Sequence, residues 1–125
     1  MPKQWTLTYS QKGWSLNEER RHKAHYWRAA KVKEWRAKFK ELAEEAKIPA
    51  LEAIRIEVFT TFATRRLQDP ANNLPASKAA VDGLVDAGVI EDDVPRLLKS
   101  ITFHAGTYDK GNDSVTLLVI NCSNE

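Results

Sequence analysis

Apolar and polar residues alternate in four segments of the chain, which is the period of a half-buried β-strand. The clearest segment runs from Ile54 to Phe62, and the others cover residues 5–9, 101–103 and 115–119. We therefore expect four strands, of which the segment at 54–62 has the longest alternation.

Two other segments have apolar residues at spacings of three and four, which is typical of amphipathic helices. The first extends from about Arg21 to Lys47 without Gly or Pro, and Pro49 marks its end. Its apolar stripe consists of Val32, Trp35, Phe39, Leu42 and Ala46. Such a helix would be roughly 40 Å long at about 1.5 Å per residue, so we expect either a kink or packing against a second subunit.

The second helix is predicted from about Pro75 to Ala87, because Pro suits a first turn and Gly88 suits the residue just past the end. Residues 13–17, 65–74 and 106–113 are expected to form loops or turns. The resulting order, β-α-β-α-β-β, predicts one small α+β domain over residues 1–125.

Composition narrows the class of protein. The chain has 125 residues, of which 42% are hydrophobic and 29% charged, and these values are typical of a folded globular domain. The single cysteine, Cys122, has no internal partner for a disulfide, which favours a reducing, cytoplasmic setting. No apolar stretch is long enough to span a membrane, and the first ten residues lack the layout of a signal peptide.

The net charge of +2 permits nucleic-acid binding but does not argue for it. The distribution of charge is more informative. Lys and Arg are concentrated in residues 20–40 and at Arg65-Arg66, whereas acids gather at residues 91–93. This arrangement is typical of an enzyme that binds a polyanion and holds a divalent cation.

The candidate chemistry lies between Arg65 and Asp93. Asp69 follows a predicted strand, Lys78 and Asp82 share one face of the second helix, and further acids follow that helix. Carboxylates without neighbouring His or Cys are the oxygen ligands that Mg²⁺ and Mn²⁺ prefer. A lysine beside them is suited to stabilising charge on a phosphate during cleavage.

Each of these residues also has a purely structural interpretation. Asp69 precedes Pro70 and suits a turn, Lys78 and Asp82 suit an exposed ion pair, and residues 92–93 suit a helix cap. Trp14 and Trp27 suit either base stacking or the core, whereas Trp35 on the apolar stripe belongs to the core. The three histidines form no ligand pattern, and from spacing alone both interpretations of the acidic residues stay open.

The same stretch resembles the signature of RusA-like Holliday junction resolvases, known from bacteria and their prophages. Spacing from Lys78 to Asp93 agrees with that signature without a gap, and the resemblance covers about a fifth of the chain closely. The matching residues, in order, are Arg65-Arg66, Asp69, Asn72, Lys78-Ala79, Asp82, Ala87-Gly88 and Asp92-Asp93.

The resemblance implies a RusA-like fold with helices packed on a mixed sheet, and a homodimer that nicks four-way DNA junctions symmetrically in recombination and repair. It implies Mg²⁺ as the cofactor, with Mn²⁺ as a substitute. The implied metal ligands are Asp69, Asp92 and Asp93, and the implied catalytic residues are Asp69, Lys78 and Asp93. Our candidates for DNA contacts are Arg28, Lys31, Arg65 and Arg66, and those for auxiliary roles are Asn72 and Asp82. The expected location is the cytoplasm of a bacterial or phage-infected cell.

One position departs from the family pattern. Many relatives have Asp-x-Asp-Asn in the turn, whereas this chain has Ala71 where the second aspartate would be. A junction-binding protein with impaired catalysis is therefore the alternative hypothesis. A protein–protein interaction module built on the long helix is a third.

Overall fold

Strands and helices alternate along the chain in the computed structural model, which describes residues 4–21, 25–65 and 74–123. The elements in order are β1 (Gln4–Tyr9), α1 (Leu16–Arg21), α2 (His25–Glu45), β2 (Ile54–Phe62), α3 (Leu74–Asp86), β3 (Leu98–Phe103), β4 (Thr107–Tyr108) and β5 (Ser114–Asn121). The α+β class and the approximate order of the elements are confirmed.

The strands form one mixed sheet in the order β1-β5-β2-β3, with the short β4 also paired to β2. β2 is parallel to β3 and β4, and it is antiparallel to β5, which is in turn antiparallel to β1. The parallel pair β2–β3 flanks α3 in the chain, as parallel neighbours require a long crossover connection.

The core lies between one face of the sheet and helices α2 and α3. Alternate residues of β2 and β5 are buried on that face, which confirms the alternation predicted for these strands. The stripe of α2 contributes Trp35 and Phe39, both fully buried. Tyr9 packs edge-on against Trp35, and burial together with its hydrogen bond to Glu34 raises the pKa of Tyr9 to about 12.

Helix α2 (His25–Glu45) lies within the stretch predicted as the long first helix, from about Arg21 to Lys47, whereas α1 (Leu16–Arg21) was not predicted and residues 22–24 lie outside the described residues. Residues 13–17, expected to be loop, include the start of α1. Ser15 caps that helix, since its hydroxyl oxygen accepts the backbone N–H of Glu18 at 3.1 Å. The Ser-x-x-Glu spacing was the signal for this helix start.

Helices α2 and α3 end with the same hydrogen-bond pattern. After α3, Val89 N–H donates to the Leu84 carbonyl and Gly88 N–H to the Val85 carbonyl, both at 3.0 Å. Gly88 has φ +80°, as this helix ending requires, and the end predicted at Gly88 is confirmed. After α2 the corresponding left-handed residue is Lys47, with φ +56°, so the helix ends before Pro49 is reached.

Trp14 belongs to the core. Only 1% of its surface is exposed, and its indole N–H donates to Glu19 Oε1 at 2.9 Å. The base-stacking interpretation of Trp14 is therefore wrong, whereas the core position of Trp35 is confirmed. Trp27 is half-buried and lies edge-on to Trp14.

No helix within the three described segments is long and apolar enough to cross a membrane.

Candidate functional site

The chain that leaves α3 turns back alongside the helix. Gly88 allows the reversal, and the next two residues, Val89 and Ile90, are fully buried and anchor the returning segment. The backbone carbonyl of Val89 also accepts the Leu51 N–H at 2.8 Å. This path carries the acidic cluster from the end of α3 back to Lys78.

Lys78 lies between two carboxylates. Its ammonium group donates to Asp93 Oδ2, and it also contacts Asp82 Oδ1 at 3.4 Å. Lys78 and Asp82 are one turn apart, on the face of α3 that is turned away from the buried residues Ala79 and Ala80. Helix α3 therefore presents the charges of Lys78 and Asp82 to the segment that follows it, which contains Asp93.

The site remains accessible to solvent. The Lys78 side chain is 55% exposed, and those of Asp82 and Asp93 are 28% exposed. Because these charges are only partly desolvated, the ion pairs contribute little to stability. The Lys78 ammonium group and the carboxylates of Asp82 and Asp93 therefore remain accessible to an incoming ligand.

Asp92 supplies a further carboxylate beside this pair. Its Oδ1 accepts the backbone N–H of Asp93 at 2.8 Å, and the residue is otherwise exposed. Neighbouring carboxylates without thiol or imidazole ligands fit the chemistry of a hard divalent cation such as Mg²⁺. Among the residues that the structure describes, no group of three or more His, Cys, Asp or Glu side chains could hold a metal ion.

Three of the predicted site residues, Arg66, Asp69 and Asn72, lie outside the described residues. The convergence of Asp69 with the acids after α3 therefore stays a prediction. Of the predicted site residues that the structure describes, it brings Lys78, Asp82 and Asp93 together, with Asp92 beside Asp93.

Arg65 lies three residues beyond the end of β2. Its guanidinium group sits 5.2 Å from the ring centre of Tyr108 in β4, and both residues are exposed. An arginine stacked on an aromatic ring keeps its N–H groups free to point along the ring plane toward a phosphate. Tyr108 was not identified from the sequence, because its pairing with β2 depends on the sheet register.

The two candidate DNA-binding residues on α2 are both engaged in ion pairs. Arg28 contacts Glu19 at 3.3 Å, and Lys31 contacts Glu34 at 3.9 Å. The Arg28 side chain is nevertheless mostly exposed. It lines a shallow groove of about 380 Å³ along α2, formed by His25, Arg28, Ala29, Val32, Lys33 and Arg36.

A second charged cluster lies on the other face of the sheet. His104 Nε2 is 2.6 Å from Glu57 Oε1, and the imidazole stacks on Phe59 with ring centres 4.3 Å apart. Glu57 and Phe59 point away from the helices because they alternate with the buried residues of β2. Sequence analysis missed the pair, since its members are 47 positions apart.

No protein-family model matches the chain, and no curated protein matches it.

Proposed function

We propose that this protein is a magnesium-dependent, structure-specific endodeoxyribonuclease that resolves four-way junctions by paired symmetric nicks, in DNA recombination and repair. The observation that carries the proposal is the contact of the Lys78 ammonium group with Asp93, beside Asp92. A cation between carboxylates, open to solvent, is the arrangement expected where a metal-bound phosphodiester is cleaved.

The chemistry of the donor set fits Mg²⁺. Asp92 and Asp93 would hold the ion, with Asp69 as the third ligand by the family signature. Bound Mg²⁺ would neutralise charge on the scissile phosphate and lower the pKa of a bound water. Mn²⁺, which takes similar oxygen ligands, is the expected substitute.

The residues of the chain have separate tasks in this proposal. Lys78 places positive charge where charge develops on the phosphate, and Asp82 orients it from one helical turn away. Arg65, supported by Tyr108, contacts a flanking phosphate. The groove on α2 with Arg28 and the neighbouring Lys31 contacts the duplex arms.

Symmetric resolution requires two cuts related by a two-fold axis, and a two-fold homodimer supplies two identical sites. We therefore propose a homodimer as the active form. The proposed place of action is the cytoplasm of a bacterial or phage-infected cell.

The test is a gel assay of nicking on a synthetic four-way junction and on linear duplex, at a stated salt concentration, with Mg²⁺, Mn²⁺ or EDTA. We expect symmetric, metal-dependent nicks in the junction alone. Asp93→Asn should slow nicking by about 100-fold or more while junction binding survives. Glu45→Gln, the same loss of charge at an exposed position of α2, should leave nicking unchanged.

Normal nicking by Asp93→Asn would show that the site is wrongly assigned. No metal-dependent nicking, together with no preference for junction over duplex, would contradict the proposed function as a whole.

The second candidate is a junction-binding protein with impaired catalysis, and Ala71 is the observation that favours it. It predicts tight junction binding without nicking in either metal ion. Ala71→Asp is then expected to restore nicking, because it returns the carboxylate that the family signature has in the turn.

A further inference from the structure

The outer edge of β1 is an edge of the sheet that the described residues form. Within the described residues, β1 pairs with β5 on one side only, and its backbone makes no other hydrogen bond to the main chain. An open strand edge presents a row of unpaired N–H and C=O groups, and natural proteins usually protect such edges.

Charged side chains, prolines and bulges are features that protect a strand edge. The opposite edge of the sheet, formed by β3, has two of these features, whereas β1 has none. β3 includes the exposed Lys99, and its register with β2 is interrupted by a bulge. β1, from Gln4 to Tyr9, contains no charged residue and no proline, and it pairs with β5 in unbroken register. An unprotected edge of six residues is a surface suited to pairing with another strand.

The sequence of β1 is self-complementary about Leu7. It reads aromatic-Thr-Leu-Thr-aromatic, from Trp5 to Tyr9. If two copies pair antiparallel with Leu7 opposite Leu7, then Trp5 faces Tyr9 of the partner subunit and Thr6 faces the partner's Thr8. Aromatic pairs and Thr–Thr pairs are both favourable across antiparallel strands.

We propose that two copies of this chain associate through β1, antiparallel and centred on Leu7, to form one continuous ten-stranded sheet. This inference rests on the homodimer of the proposed function but not on its nuclease chemistry. The two-fold axis runs perpendicular to the sheet, so the helices of both copies lie on the same face.

The side chains at this edge suit such an interface. Trp5 and Tyr9 are half-buried on the helix side, and pairing would cover their remaining exposed surface. Tyr9 lies against Trp35 and donates its hydroxyl proton to Glu34 Oε2, so α2 flanks the same seam. The strand edge spans only about 20 Å, so contacts between the two α2 helices would supply the remaining area that a stable dimer needs.

Charged substitutions at Thr6 and Thr8 test whether β1 forms the dimer interface and whether Leu7 lies opposite Leu7 of the partner subunit. Both side chains are exposed on the sheet face away from the helices, so substitution does not enter the core. Thr6→Lys with Thr8→Lys places like charges opposite each other twice across the two-fold axis, and we expect the dimer to dissociate. Thr6→Lys with Thr8→Glu places opposite charges together twice, and we expect the dimer to persist.

The measurement is the mass in sedimentation equilibrium, with circular dichroism to show that each variant is folded. Wild type should sediment at twice 14.2 kDa, the Lys/Lys variant at 14.2 kDa and the Lys/Glu variant again at twice that mass. The matched control is Ser100→Lys with Thr102→Lys on exposed positions of β3, which should leave the dimer intact.

A monomeric wild type, a dimeric Lys/Lys variant or a monomeric Lys/Glu variant would each overturn the inference. Junction nicking is assayed separately on the same samples. If the protein nicks junctions but the Lys/Lys variant remains dimeric, the β1 interface alone is refuted. A dimer that responds as expected but never cuts DNA would refute only the proposed activity.

Discussion

Gly83 of α3 lies directly against the backbone of Arg36 in α2. A Cβ at residue 83 would come within 2.5 Å of the Arg36 carbonyl oxygen and 3.0 Å of the Lys40 nitrogen. Glycine is unfavourable inside a helix, by about 1 kcal/mol relative to alanine. At residue 83, glycine allows α3 and α2 to pack with their backbones in direct contact.

We therefore expect Gly83→Ala to destabilise the protein by about 1–3 kcal/mol, although alanine is the better helix former, because the backbone of α2 must move. Urea denaturation measures the change. Ala37→Gly, the reverse exchange at an exposed position of α2, should cost about 1 kcal/mol through propensity alone. A Gly83→Ala protein as stable as wild type would rule out the close contact.

Lys47→Gly should stabilise the protein. Lys47 adopts φ +56° at the end of α2, a left-handed conformation that costs a residue with a Cβ about 1 kcal/mol. Glycine adopts it freely, so we expect a gain of up to about 1 kcal/mol in the free energy of unfolding, measured by urea denaturation. Lys47→Ala keeps the Cβ and removes the same charge, and a gain of equal size in that variant would contradict this explanation.

Stability should fall in acid through Asp86. The Arg36 guanidinium donates two hydrogen bonds to this carboxylate, at 2.5 and 2.8 Å, and holds the pKa of Asp86 below its ordinary value. A lowered pKa in the folded state means that the stabilisation is present above about pH 4 and is lost as the pH falls through the folded-state pKa.

Asp86→Asn tests this pH dependence. Because the pair is partly exposed, and because an acid at the end of α3 opposes the helix dipole, we expect a loss of only about 0.5–1 kcal/mol at pH 7. The difference from wild type should shrink toward pH 2, as followed by thermal unfolding across pH. A difference that is constant with pH would show that the Arg36 contact does not act through charge.

Lys78→Met should reduce nicking with little change in the stability of the fold. The lysine is more than half exposed, so its loss should change stability by no more than about 1 kcal/mol. Under the proposed function, nicking of a four-way junction should fall by about 100-fold or more, because Lys78 would place its charge beside the scissile phosphate. Lys110→Met, at an exposed turn, is the matched control, and equal nicking by the two variants would remove Lys78 from the mechanism.

Much of the secondary structure followed from local patterns in the sequence. The alternation in β2 and β5, the apolar stripe of α2 and the end of α3 at Gly88 were all predictable, because each depends on neighbours within a few residues. The start of α1 was missed, although the Ser15 cap was present in the sequence.

The candidate site was only partly predictable. The motif drew attention to Lys78, Asp82 and Asp93, and the helical spacing placed the first two on one face. That Asp93 reaches Lys78 depends on the chain reversing after α3 and on the burial of Val89 and Ile90 beside it. Those contacts join residues up to 15 positions apart, which periodicity does not describe.

The sequence by itself determined most of the strands and helices, although not α1 or β4, and it determined which residues bear the candidate chemistry, since those depend on side-chain spacing and on backbone preferences near each residue. Only the tertiary structure decided that Trp14 is buried, that Gly83 meets Arg36 and that β1 lies at the edge of the sheet formed by the described residues. These outcomes follow from how distant segments pack, because burial and strand order minimise the exposed apolar surface of the whole chain.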